Sequence, residues 1–178
     1  MKSKRIYNMV VAAMCLALCL FLPFLTGQIP EIGNLLSPMH IPVLLCGFLC
    51  GWQYGLLVGF VAPLLRYVCF GMPPIFPTGV AMAFELAAYG ALTGALYAKL
   101  PRKPINIYVT LIVSMLAGRV VWGVVRFILS GLVQTEFTWN MFMAGAFINA
   151  VPGILCHVFL IPLIVMALER ASIVKRKE

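Results

Sequence analysis

Three arginines, one glutamate and a few aromatic and amide side chains interrupt stretches that are otherwise apolar, and any chemistry of this chain must come from them. Arg119, Trp122 and Arg126 stand at i, i+3 and i+7. On a helix of about 3.6 residues per turn they fall within an arc of about 60°, two guanidinium groups around an indole. Glu85 and Tyr89 share a face at i, i+4, and Asn149, Arg66 and His40 complete the candidate set. A charge deep in a bilayer costs at least ~2.5–3.5 kcal/mol, so such a group faces a wet cavity or a partner. Guanidinium groups grip carboxylates and aromatic faces stack on planar rings. The set therefore reads as an outward-open polar pocket for a small solute bearing a carboxylate or similar anionic group. Two other readings stay open: Glu85 neutralises Arg119 in a buried pair joining two helices, or Arg66 and Arg126 reach outward to headgroups. His157 is assigned to packing, as a lone histidine without a metal partner.

The elements that must carry these residues are membrane helices. The chain is 63% hydrophobic and 10% charged, with a mean hydropathy of +1.04, against about 25% charged in soluble domains. Its length fits a single domain over 1–178. The thirteen Lys and Arg fall into three clusters (Lys2, Lys4, Arg5; Lys99, Arg102, Lys103; Arg170, Lys175, Arg176, Lys177) plus the three intramembrane arginines. Basic loops stay cytoplasmic. An all-α bundle of six spans, at about 6–26, 41–51, 55–70, 78–98, 105–130 and 140–168, puts every cluster on one side and both termini in the cytoplasm. The second span is too short to cross about 30 Å of hydrocarbon unaided. Fusing 41–70 into one helix would send Lys99, Arg102 and Lys103 outside, so a turn is placed at 51–55, where Gly51 and Gly55 flank two aromatics. The sixth span is expected to be interrupted by Pro152 and Pro162.

The net charge of +8 is thus a topology signal rather than a nucleic-acid footprint. All six cysteines lie in apolar runs without ligand-type neighbours and read as packing residues. The N-terminal apolar run, about 20 residues long, exceeds a signal-peptide core and reads as an uncleaved span. Small residues recur every fourth position, Ala83, Ala87, Ala91 and Ala95 on one stripe and Gly90 and Gly94 on another, and let helix backbones approach. By helix rise, Arg66 and Arg126 lie about 6 Å below the outer helix ends, Glu85 about 10 Å, Asn149 about 13 Å and Arg119 about 16 Å.

The 178 residues contain no Asp, no G-x-x-x-x-G-K-[ST], no G-x-S-x-G and no H-E-x-x-H. Uphill transport would draw on a partner or an ion gradient. The rivals to a binding subunit are a stand-alone secondary transporter, whose usual inverted repeat is not visible here, and a membrane enzyme using Glu85 or His157 as acid or base.

Three passages resemble the substrate-binding S component of energy-coupling factor (ECF) vitamin transporters: Ala13-Met-Cys-Leu-Ala17, the run from Met39-His-Ile-Pro to Gly51-Trp-Gln-Tyr-Gly55, and the glycine-bearing run 81–94. The resemblance covers essentially the whole chain. It implies a non-catalytic subunit of a bacterial cytoplasmic membrane that needs no cofactor and binds a vitamin or related micronutrient in the outer half of the bilayer. Its implied partners are a transmembrane coupling subunit, docked at Ala13 and Ala17, and two cytoplasmic ATPase subunits. Excess arginine leans towards an anionic compound such as pantothenate, with riboflavin or a pyrimidine or deazapurine precursor left open.

Overall fold

The computed structural model describes residues 2–25, 36–101, 103–133, 138–145 and 150–171. The described residues form helices and no strand, as expected where no water is present to satisfy backbone N–H and C=O groups. In chain order the helices are α1 Lys2–Leu25, α2 His40–Cys50, α3 Trp52–Phe70, α4 Val80–Lys99, α5 Pro104–Val133, α6 Trp139–Met143 and α7 Val151–Arg170, with a single wide turn at Ile75–Gly79 leading into α4. Five of these are long and apolar enough to cross a membrane; α2, at 11 residues, is about 16 Å long and is not.

Two sequence expectations need correction. The turn after α2 is Gly51 alone, at φ 89°, and α3 begins at Trp52, so Gly55 lies inside a helix. A single residue in left-handed territory reverses the chain, which spares the aromatics for the helix. The last span is also shorter than expected, because α7 starts at Val151 and Pro152 occupies its first turn, where a missing N–H costs nothing. Residues 139–143 form the separate helix α6, whose first turn is capped by the Thr138 hydroxyl accepting from the Met141 N–H. Pro162 does lie inside α7.

Cross-contacts sort the helix ends into two groups. At one end, Asn8 of α1 donates to the Cys50 carbonyl of α2, Phe48 of α2 meets the Tyr97 ring edge-on, and the Tyr97 hydroxyl of α4 donates to Glu169 of α7. Lys4, Arg5, Lys99 and Arg170 are next to these residues in sequence. At the other end, Arg66 of α3 reaches Leu20 of α1, Arg126 of α5 reaches Thr78 before α4, and His40 of α2 stacks on His157 of α7. Lys4, Arg5, Lys99 and Arg170 and the intramembrane polar groups thus lie at opposite ends of the bundle.

The short α2 lies at the centre. Nine of its eleven residues are buried, and it packs against α1, α3, α4 and α7. Its neighbours α3 and α4 make the closest helix pair, through glycine. A Cβ on Gly90 would sit 2.1 Å from the Gly55 carbonyl oxygen, one on Gly59 2.2 Å from that of Leu86, and one on Gly94 2.2 Å from the Trp52 nitrogen. Dispersion between backbones at this distance replaces the hydrophobic effect that lipid removes. Of the two stripes read from the sequence, the glycine stripe makes this contact, while Ala87, Ala91 and Ala95 remain half-exposed. All six cysteines are free thiols, and Cys15 and Cys19 of α1 and Cys46 and Cys50 of α2 are buried.

Gly90→Ala is expected to force α3 and α4 apart at a cost of about 1–3 kcal/mol, the range for overpacking a close contact. Gly131→Ala, where nothing lies within 4 Å, should leave stability unchanged. Thermal unfolding in detergent of the two variants measures the difference.

Candidate functional site

The Glu85 carboxylate is 1% exposed, inside a protein that lipid surrounds. One of its oxygens, Oε1, collects three partners from three helices. The Tyr89 hydroxyl, one turn along α4, donates to it at 2.9 Å; Arg119 Nη1 of α5 lies 3.0 Å away; and His40 Nε2 at the start of α2 lies 3.6 Å away. An uncompensated carboxylate here would cost several kcal/mol, and the guanidinium and hydroxyl offset that cost. Of the readings open for Glu85, the geometry displays the buried ion pair with Arg119.

Local sequence explains how these groups meet. Glu85, Tyr89, Thr93 and Tyr97 recur every fourth residue along α4 and are all buried, so one stripe of that helix is polar through the bundle interior. Gly118 of α5 gives the Tyr89 ring room to lie flat against the helix: a Cβ there would be 2.1 Å from Tyr89 Cε1. Arg119 follows it directly and reaches Glu85 across the same contact. His40 is held by its other nitrogen, since Nδ1 lies 3.1 Å from the Ser37 carbonyl, and a carbonyl oxygen only accepts. The His40 ring packs 5.2 Å from Tyr89 and 5.9 Å from His157, nearly parallel to the latter at 17°.

His157 belongs to this cluster although its sequence position argued against it. It is 1% exposed and lies against the backbone of Leu36 and Ser37. With a last span starting near 140, His157 would lie about 26 Å down; with α7 starting at Val151 it lies about 9 Å down, level with Glu85. The signal that would have found it is the chain's having two histidines, each shortly after the outer start of a helix.

The remaining candidates are dispersed. Arg66 is buried between the rings of Phe24 and Phe70, 5.5 Å from each centroid, and donates to the Leu20 carbonyl at 2.7 Å, close to where Pro23 disrupts α1. It fastens α3 to α1. Arg126 lies two turns from Arg119, about 10 Å along α5, and donates to the Thr78 hydroxyl at 3.2 Å. Trp122 stacks on Phe142 of α6 at 6.4 Å and 25°, and Phe142 in turn meets Trp139 at 5.3 Å. Asn149 lies outside the described residues. Ala13 and Ala17 are exposed on the outer face of α1, away from the cluster. Each of the three arginines thus has an acceptor within the fold, and the concentrated surplus of positive charge expected from the sequence is absent from the Glu85 site.

The groups of the cluster are hydrogen-bond donors and acceptors arranged around a neutralised ion pair, and no group of three His, Cys, Asp or Glu among the described residues is placed to hold a metal ion.

Replacing Glu85 by Ala leaves Arg119 buried without a counter-ion and is expected to destabilise the protein by about 3–5 kcal/mol. Glu85→Ala combined with Arg119→Met should cost clearly less than the sum of the two single changes. Denaturation in detergent micelles across the four proteins measures the coupling.

A family model described as the substrate-specific component of ECF transporters matches residues 7–172. No curated protein and no solved structure matches the chain.

Proposed function

The chain belongs to the family of ECF transporter substrate-specific components, and from that premise we propose that it captures a vitamin or related micronutrient outside a bacterial cytoplasmic membrane and delivers it inward. It is a substrate-binding transporter subunit of a multi-pass membrane protein family. Its 178 residues form one transmembrane domain, and a transmembrane coupling subunit with two cytoplasmic ATPases supplies the driving force as an ABC importer.

The observation that carries this reading is the position of the Glu85 cluster, at the bundle end opposite Lys4, Arg5, Lys99 and Arg170. With Lys and Arg on the cytoplasmic side, that end faces outward. The reading has both termini inside and six passages through the bundle, with α2 as a half-length passage ended at Gly51. Parity requires this passage, because without it the two termini would lie on opposite sides. An outward-facing polar cluster suits capture of a solute from dilute solution. The exposed Ala13 and Ala17 lie among larger apolar side chains such as Met9, Met14, Leu18 and Phe21, giving a shallow recess on α1 for a helix of the coupling subunit.

Co-expression with a coupling subunit and its ATPases should yield a complex that co-purifies with this chain. Ala17→Trp, which fills the recess without entering the bundle, should abolish co-purification and leave the isolated protein's unfolding temperature unchanged. Unaltered assembly of the Trp variant would remove α1 as the docking face. Reporter fusions at the two termini should both read cytoplasmic.

A further inference from the structure

Helices α1, α4, α5 and α7 each have a basic residue at or near one end, which gives a common level from which to measure them. Leu25 ends α1 20 residues beyond Arg5, and Val80 of α4 and Val151 of α7 stand 19 residues from Lys99 and Arg170. At 1.5 Å per residue each covers about 30 Å, the thickness of the hydrocarbon layer. Helix α5 does not stop there. It runs from Pro104, next to Lys103, to Val133, a length of 30 residues or about 45 Å. Its pairing with α4 places the excess at the end away from Lys103: Arg119 meets Glu85, and Arg126 donates to Thr78, which already precedes the start of α4. Residues 127–133 therefore run past the neighbouring helix by about 10 Å.

The projecting end is apolar. Val124, Phe127, Ile128 and Leu132 are each more than half exposed, and a Cβ on Gly131 would meet open space. The five stand at i, i+3, i+4, i+7 and i+8, one face of the helix. This face carries no charge and continues the exposed apolar stripe of Ile112, Leu116 and Val120 on the part of α5 that crosses the hydrocarbon. Helix α6 leaves it bare, because the Phe142 ring seats lower, against Gly123, where a Cβ would lie 2.2 Å from it. Gly123 is 20 residues beyond Lys103, the level at which the other spans end. Trp139, 5.3 Å from Phe142, is exposed beside it, and an indole at that level suits the boundary between acyl chains and headgroups.

We propose that this end of α5 is a lipid-binding surface, with phospholipid acyl chains covering Val124, Phe127, Ile128 and Leu132 beyond the level at which α1, α4 and α7 end. The unbroken continuation of the lipid-facing stripe argues for lipid as the occupant, and a second copy of this chain is the competitor. An apolar stretch longer than the hydrocarbon is accommodated by local thickening of the bilayer or by tilt. Either way the protein is better matched to long acyl chains than its other spans alone would make it. The inference concerns how the protein sits in lipid and is independent of the solute it carries.

The test uses the full-length protein in phosphatidylcholine nanodiscs. Leu132→Trp puts a reporter on the projecting face without entering the bundle. The emission it adds should be blue-shifted, largely lost when the lipid is brominated high on its acyl chains, and unaffected by aqueous iodide. Quenching by iodide and not by brominated lipid would overturn the proposal, as would a cross-linked pair of protomers in which neither quencher reaches the reporter. The unsubstituted protein should unfold at a higher temperature in dierucoyl- than in dimyristoleoyl-phosphatidylcholine, and Ile128→Ser combined with Leu132→Ser should remove that preference. An unfolding temperature independent of chain length, or a preference that persists in the double variant, would each sink the idea. If the double variant fails to fold, the reporter and the chain-length dependence of the unsubstituted protein still decide.

Discussion

A carboxylate cannot remain charged inside lipid without partners, and satisfying Glu85 organises one end of this bundle. Its Oε1 atom draws Arg119 from α5, Tyr89 from its own helix and His40 from α2 to one point. Three helices are thereby fixed in register as well as in contact, because an ion pair at 3.0 Å tolerates little sliding, whereas apolar side chains facing lipid or one another repack at small cost. The same requirement explains why Gly118 stands before Arg119: the Tyr89 ring must occupy the space a side chain would fill.

The bundle is fastened differently at its two ends. Tyr97 donates to Glu169 at the end near the basic clusters, twelve residues or about 18 Å from the Glu85 hub along α4. Between the two polar points the α3–α4 contact is bare backbone against backbone at Gly55, Gly59, Gly90 and Gly94. The α2 helix sits against this pair with nine buried residues. The polar cluster is thus mounted on the closest backbone contact among the described helices, an arrangement that keeps its donor and acceptor positions constant. The exposed face of α1 lies outside this unit.

The three intramembrane arginines show why residue type alone does not define a site. Arg119 meets a carboxylate, Arg66 a backbone carbonyl between two phenyl rings, and Arg126 a hydroxyl. All three are cations in the same half of the bundle, yet their partners give three different consequences: a neutral scaffold, a helix-to-helix fastener and a tie at the entrance to α4. Helical periodicity related Arg119, Trp122 and Arg126 along α5, but it carried no information about what stood opposite.

Hydropathy and the spacing of Lys and Arg made the helical membrane class, the short second helix and the glycine stripe of α4 legible, because each depends on runs and periods within one segment. The Glu85–Tyr89 pair was legible for the same reason, as an i, i+4 relation. What the chain alone left open were the relations between segments: that Glu85 neutralises Arg119, that Arg66 turns to α1, and that His157 stands level with His40. The last was hidden by a boundary. A start at Val151 instead of near 140 moves His157 outward by about 17 Å, and apolar residues on both sides of that boundary gave no signal of it. Partner choice across helices is decided by packing in three dimensions, where a single glycine contact or one helix start determines which polar group another can reach.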